Sequence, residues 1–135
     1  MDESEAVARR AFDLLADGRY EELPPLLHPD VLAAPSQPGT VLRGREAFEE
    51  YIRMILRDVQ IREAVAFRYE RVGEDGVLVS GRLRWSMTNG GFADNEAAWA
   101  IRVRDGLIWR FRTTRSREEA RAILENDDWS PPHRP

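Results

Sequence analysis

Apolar side chains recur at helical spacing near the start of the chain. From Val7 to Leu15 they lie four residues apart and form a single stripe, which predicts an amphipathic first helix. Asp2 or Ser4 can cap its start, and Gly18 is a typical stop.

The next stretch is less regular until a second clear stripe begins. A short helical piece is expected from about residue 20 to 27, broken by two adjacent prolines, and residues 28–44 are loop-like with a brief strand at 31–33. A third helix is predicted by apolar residues at i, i+3, i+4 and i+7, which are Phe48, Tyr51, Ile52 and Ile55.

The period changes to alternation in the second half. From about Ile61 to Arg115 apolar and polar residues alternate, with breaks at residues 73–76, 89–91 and 105–106. This pattern predicts four long strands in a curved antiparallel meander. Ser116 with Glu119 three residues on is a capping box that begins a short final helix.

The side-chain pattern also suggests how the strands pair. A three-residue loop at 104–106 keeps one face apolar, pairing Ile101 with Trp109 and Trp99 with Phe111. Keeping one face apolar in the preceding hairpin pairs Gly81 with Trp99. In the first hairpin the pattern is weaker, and it pairs Glu63 with Trp85. The face toward the helices then carries Val65, Phe67, Val79, Leu83, Trp99, Ile101 and Phe111, and the other face is rich in arginine.

Composition narrows the class of protein. The 135 residues, 42% hydrophobic and 33% charged, suit one domain. All 20 basic residues are arginine and 24 are acidic, so the net charge of −4 argues against nucleic-acid binding. Without cysteine and with two histidines, no metal site or cofactor is indicated. We expect no membrane span and no signal peptide, and therefore a cytoplasmic protein.

Several segments resemble one family. The stretch FDLLADGRYEELPPLLHPDV, the LRGREAF before the third helix, and RDGLI followed by SREEARAI are similar to segments of SnoaL-like proteins, a branch of the nuclear transport factor two-like superfamily. The resemblance covers about residues 5 to 126. It implies an α+β cone, with four long strands and a short one wrapped around about three N-terminal helices and followed by a short C-terminal helix. It also implies a homodimer with a small-molecule pocket inside the cone.

The family's known reactions are not supported residue by residue. The isomerase's general base falls at Ala34 or Pro35, its oxyanion-binding acid at Trp99 and its tyrosine near Ala11, while the cyclase's aspartate falls at about Thr113. The resemblance therefore indicates the fold without a specific chemistry.

A different set of residues is predicted to form the site. The expected registers place Glu63, Trp85, Asn95 and Arg115 in one row, with Thr113 beside Arg115. Glu63 is a candidate general base and Arg115 a candidate anion-binding group, while Trp99 and Phe111 are core or pocket wall. The alternative is that Glu63 and Arg115 lie at the strand ends and point into solvent. His28 is a less favoured acid–base candidate, better explained as a turn residue.

We expect residues 1–126 to form a single SnoaL-like domain and 127–135 a proline-rich tail. The favoured function is binding or transforming a small apolar molecule with a polar or anionic group. The alternative is a non-catalytic dimerising or partner-binding module whose cone is filled by Trp85, Trp99 and Phe111.

Overall fold

The computed structural model describes residues 2–35, 41–127 and 129, and for residues 55–62 it describes the backbone alone. Most of the expected tail, and the side chain of Ile55, therefore lie outside the described residues. Within them the helices are α1 (Glu3–Ala16), α2 (Arg45–Asp58) and α3 (Arg117–Asn126), with 3₁₀ turns at Tyr20–Glu22 and Pro24–Leu26. The strands are β1 (Leu27–Ala34), β2 (Leu42–Arg43), β3 (Val59–Val72), β4 (Gly76–Met87), β5 (Phe92–Arg104) and β6 (Leu107–Thr114).

The helix ends follow from local capping. Asp2 accepts a hydrogen bond from the Glu5 backbone N–H (3.1 Å) at the start of α1, and Gly18 follows the helix with a φ of +71°. The Ser116 hydroxyl accepts from the Glu119 N–H (3.2 Å) at the start of α3, as the capping box predicts.

β1 is longer than the sequence pattern predicts. The expectation of a loop from His28 is wrong, because β1 pairs in parallel with β6 and antiparallel with β2, which ties down residues that read locally as a turn. The β1–β6 ladder is irregular between Leu27 and Leu32, and Pro29, which has no N–H to donate, lies in that interval.

The six strands form one curved, open sheet in the order β2-β1-β6-β5-β4-β3, which confirms the predicted α+β fold. The main core fills its concave side, where α1 and α2 pack. A smaller cluster lies on the convex side, where α3 covers Leu78, Ala98 and Ala100.

Two bulges make the observed strand registers differ from the predicted ones. Asp105 and Gly106 form a two-residue turn, and an extra residue in β6, Trp109, then shifts the pairing so that Ile101 faces Phe111 and not Trp109. The expected pairing of Trp99 with Phe111 is wrong for the same reason, since Trp99 lies opposite Thr113.

The second bulge, at Phe67 in β3, moves Glu63. Tyr69 faces Val79 as predicted, but the bulge shifts the rest of β3 by one residue, so that Glu63 lies opposite Arg84 and not Trp85. A one-residue shift transfers a side chain to the other face of the sheet. Glu63 therefore lies on the convex side, where it accepts a hydrogen bond from the Arg84 guanidinium (2.8 Å).

The bulge also removes two residues from the predicted apolar face. Phe67 is 68% exposed, and Val65 lies opposite Arg82 on the convex side. In the next hairpin Val79 faces Trp99 and Gly81 faces Ala97, two residues away from the expected register but with the faces as predicted.

Candidate functional site

A cavity opens between the concave face of the sheet and the helices. The space open to the centres of water molecules is about 50 Å³. Its lining comes from α1, the first 3₁₀ turn, α2 and four strands, and consists of Leu15, Tyr20, Leu23, Pro35, Phe48, Tyr51, Ile52, Ala64, Leu83, Trp99, Phe111 and Thr113.

The polar side chains of this lining all carry hydroxyl groups. Tyr20 and Tyr51 are both buried, as is the hydroxyl oxygen of Tyr20. Thr113 faces the cavity because it lies directly opposite Trp99 on β5. Within the described residues its hydroxyl makes no hydrogen bond, so it is available to a bound molecule.

No side chain that is charged at neutral pH lines the described part of the cavity, which lacks Asp, Glu, His and Arg. The described residues also contain no group of three His, Cys, Asp or Glu side chains that could hold a metal ion. Such a lining suits an uncharged molecule, because an unpaired charge is costly to bury.

Packing against α1 fixes the tryptophan of the cavity wall. The Phe12 ring meets Trp99 edge to face with 4.8 Å between centroids, and it also contacts Tyr69 and Phe111. Burial raises the pKa of Tyr69, so this neighbour stays an uncharged phenol. The wall is a set of interlocked rings, which favours a preformed pocket.

The structure separates the predicted site residues into two groups. Trp99, Phe111 and Thr113 line the cavity. Trp85 is outside the lining, partly buried against the edge of the core, and Asn95 is exposed.

The expected row across the sheet does not form. Arg115 follows the end of β6 and is exposed, and Glu63 lies on the convex face. The bulges explain this, since the row assumed strands paired without extra residues.

The helical part of the lining was not predicted as site residues. Phe48, Tyr51 and Ile52 belong to the apolar stripe that predicts the third helix, and the same stripe serves as core and as cavity wall. Tyr20 falls in the stretch whose structure the prolines obscured. The one sign in the sequence that Tyr20 could line a pocket was that it is aromatic and follows an apolar helix.

His28 lies apart from the cavity. Its Nδ1 accepts a hydrogen bond from the Asp30 N–H (3.0 Å), and its Nε2 is 3.8 Å from a carboxylate oxygen of Asp105 in the β5–β6 turn. These contacts join β1 to that turn, so His28 is a residue of strand β1 and not the turn residue that the sequence suggested.

Comparison with solved structures places the fold among proteins with diverse ligands. An NTF2-like protein of unknown function from Burkholderia pseudomallei is 17% identical with a TM-score of 0.75, over 92% of this chain and 98% of that one. A Mycobacterium tuberculosis protein in complex with estradiol-17beta-hemisuccinate is 15% identical with a TM-score of 0.71, over 84% and 93%. An LEH-like epoxide hydrolase from M. tuberculosis is also 15% identical with a TM-score of 0.71, over 92% and 90%. At these identities the likeness is one of fold.

Two further findings bear on the class of protein. No helix among the described residues has the length and apolar character needed to cross a membrane. A search of curated proteins gave no match. The model of the SnoaL-like domain, in contrast, matches residues 8–111, and the chain therefore belongs to the SnoaL-like family.

Proposed function

We propose that the protein binds a small, uncharged, largely apolar molecule in the cone cavity, through an oxygen-bearing group that hydrogen-bonds to a hydroxyl of the lining. The observation that carries this is the composition of the cavity wall, which is apolar except for Tyr20, Tyr51 and Thr113. Pockets of this kind take affinity from apolar contact and orientation from a few polar groups.

The wall favours an uncharged ligand over the anionic one allowed by the sequence. Arg115, the residue expected to bind an anion, is exposed and outside the lining. An anion in the cavity would lose its hydration without a cation among the described lining residues. A hydroxyl or carbonyl group would instead exchange a hydrogen bond with water for one with Thr113 or a tyrosine.

Binding is also better supported than acid–base catalysis by the predicted base. Glu63 pairs with Arg84 on the far side of the sheet, so it has no route to a molecule in the cavity. Trp99 and Phe111 line the cavity without closing it, and Trp85 is outside the lining, which disfavours the cone filled by its own aromatics.

A matched pair of probes tests the proposal. Trp99 forms part of the wall, so its fluorescence should respond to a bound aromatic molecule. We expect 2-naphthol, uncharged at pH 7, to give a saturable change, and 2-naphthoate, of similar shape but anionic, to bind about tenfold more weakly or worse. Equal binding of the two, or no binding of 2-naphthol, would reject the proposal.

Two variants show whether the signal comes from the cavity. Ala64→Phe adds a ring to the wall and should abolish 2-naphthol binding. Ala93→Phe, a matched substitution at an incompletely buried position on β5 outside the lining, should leave it unchanged. Circular dichroism of both variants checks that the fold is retained.

We also propose that residues 1–126 form a single domain, that the protein is a homodimer, as the resemblance implies, and that it is cytoplasmic. Light scattering on the eluting protein tests the assembly. A mass of about twice 15.5 kDa supports the dimer, and a mass of 15.5 kDa rejects it.

A further inference from the structure

The convex face of the sheet carries arginines stacked on a tryptophan. The β6 bulge places Trp109 among the convex-face residues, with the guanidinium carbon of Arg104 3.5 Å from the ring centroid and that of Arg110 3.6 Å from it. Two groups so close to one centroid cannot share a face of the ring. They therefore lie on opposite faces, about 7 Å apart.

A third arginine lies in the same part of the sheet. Arg43 on β2 is opposite Leu32 on β1, and Leu32 is opposite Arg110 on β6, so these residues form one row on one face. Burial lowers the pKa of Arg110 and the positive charges of Arg104 and Arg43 lower it further, while the carboxylates of Asp127 and Asp30 offset part of this effect. We name Arg43, Arg104 and Arg110 with Trp109 the arginine cluster.

Carboxylates lie near the cluster without forming the ion pairs that a neighbouring arginine has, since Asp127 and Asp30 act on Arg110 only at longer range. Arg102, directly opposite Arg110, forms ion pairs with Asp75 (2.6 Å) and Asp127 (3.1 Å). Among the described residues no ion pair is formed by Arg43, Arg104 or Arg110. In a chain with more acidic than basic residues, this leaves adjacent positive charges without a directly paired carboxylate among the described residues.

The stacked geometry leaves hydrogen-bond donors available. A guanidinium stacks through its flat face, so its N–H groups, which lie in the plane, remain free to bind an oxyanion. Arg110 donates from Nη1 to the backbone carbonyls of Trp109 (3.0 Å) and Asp30 (3.4 Å), which holds it in place. Both faces of the indole are covered, so a nucleic-acid base has no open ring on which to stack.

We propose that the arginine cluster is a binding site for a phosphate-type oxyanion borne by a small molecule. It is separate from the cavity, because Arg110 and the cavity residue Phe111 are neighbours on opposite faces of β6. The anion supplies the direct ion-pair partner that the described residues do not.

Titration with inorganic phosphate tests this site. Two cations cover the indole, so an anion that draws them away should change the fluorescence of Trp109. The change should be absent from Trp109→Phe, which shows that it comes from Trp109. We expect a saturable change with a dissociation constant of about 1 mM or tighter, absent when sodium chloride is added to equal ionic strength. Arg104→Gln and Arg110→Gln should each weaken binding about tenfold.

Arg84→Gln is the matched control, since it removes the same charge from an arginine of the convex face that pairs with Glu63. It should leave phosphate binding unchanged. An equal response to chloride, or unaltered binding in both cluster variants, would overturn the proposal. The proposal would also be overturned if phosphate did not bind and Arg110→Gln converted a dimer to a monomer. In that case a second copy of the chain would supply the counter-charge.

Discussion

Thr113 and Thr114 are adjacent at the end of β6, and their side chains have different environments. Thr113 lines the cavity without a hydrogen bond to the described residues. The Thr114 hydroxyl is 2.9 Å from the carbonyl oxygens of both Ala98 and Ser116, next to α3, and can donate to either one. The Thr113 hydroxyl is therefore available to a molecule in the cavity, whereas the Thr114 hydroxyl stabilises the fold.

Valine substitutions should separate these roles, because valine keeps the shape and removes the hydroxyl. Thr113→Val is expected to leave the free energy of unfolding nearly unchanged and to weaken 2-naphthol binding about three- to tenfold. Thr114→Val should lower the free energy of unfolding by about 1–2 kcal/mol and leave binding intact. Urea denaturation and the fluorescence titration measure the two effects, and a reversed pattern would contradict the assignment.

Glu70 on β3 joins α3 to the sheet through arginines. Its carboxylate is 2.5 Å from the Arg117 guanidinium and 2.6 Å from that of Arg121, and the hydrogen bonds from Arg117 lower the pKa of Glu70. A carboxyl whose pKa is lowered by folding stabilises the fold above its unfolded pKa of about 4.5, and this contribution is lost as the pH falls through the folded value.

Glu70→Gln should therefore destabilise the protein in a pH-dependent way. At pH 7 we expect it to lower the free energy of unfolding by about 1 kcal/mol. Below pH 4.5 the difference from the unaltered protein should begin to shrink, and it should approach zero once the pH is below the lowered pKa of the folded state, where Glu70 is protonated in both states. Urea denaturation from pH 3 to 7 measures this, and a difference that grows on acidification would be inconsistent with the ion pairs.

At the scale of elements, Gly81 in β4 is required by the β3 bulge. A Cβ at Gly81 would lie 1.8 Å from the backbone oxygen of Val65, so an added methyl group needs a shift of β3 itself. The sequence pattern paired this glycine with Trp99, which lies two residues further along the ladder.

Gly81→Ala is expected to lower the free energy of unfolding by about 2–4 kcal/mol. Gly91→Ala is the control, because its Cβ would meet only side-chain atoms of Asn89 and Met87, the nearest at 3.3 Å, and we expect less than about 1 kcal/mol. Thermal and urea unfolding measure both variants. Similar stabilities for the two would argue against the close approach of β3 to β4.

The bulges also mark how far the sequence could predict this fold. The alternation of apolar and polar residues predicted the two faces of β4 and β5 correctly. The capping residues predicted where α1 and α3 begin. Both signals are local in the sequence. A bulge adds one residue without changing the local pattern, so the displacement of Glu63 and Trp109 had no visible sign. Trp99, Phe111 and Thr113 escaped this error, since the expected β5–β6 register differed from the true one by two residues, which preserves the face.

At the scale of the molecule, the two faces of the curved sheet differ in chemical character. The concave side and the helices enclose an apolar cavity with hydroxyl groups, and the convex side carries charged residues, including the arginine cluster. Alternation along the strands produces this division, because successive residues point to opposite faces. The sequence predicted a cone with a pocket, but the charged residues it assigned to that pocket lie outside it.

A crystal structure of the protein with 2-naphthol tests the central claim most directly. We predict the naphthalene ring inside the cone, against Phe48 and Trp99, with its oxygen within hydrogen-bonding distance of the hydroxyl of Tyr51 or Thr113. A cone closed by its own side chains, or a probe bound only on the outer surface, would contradict the account.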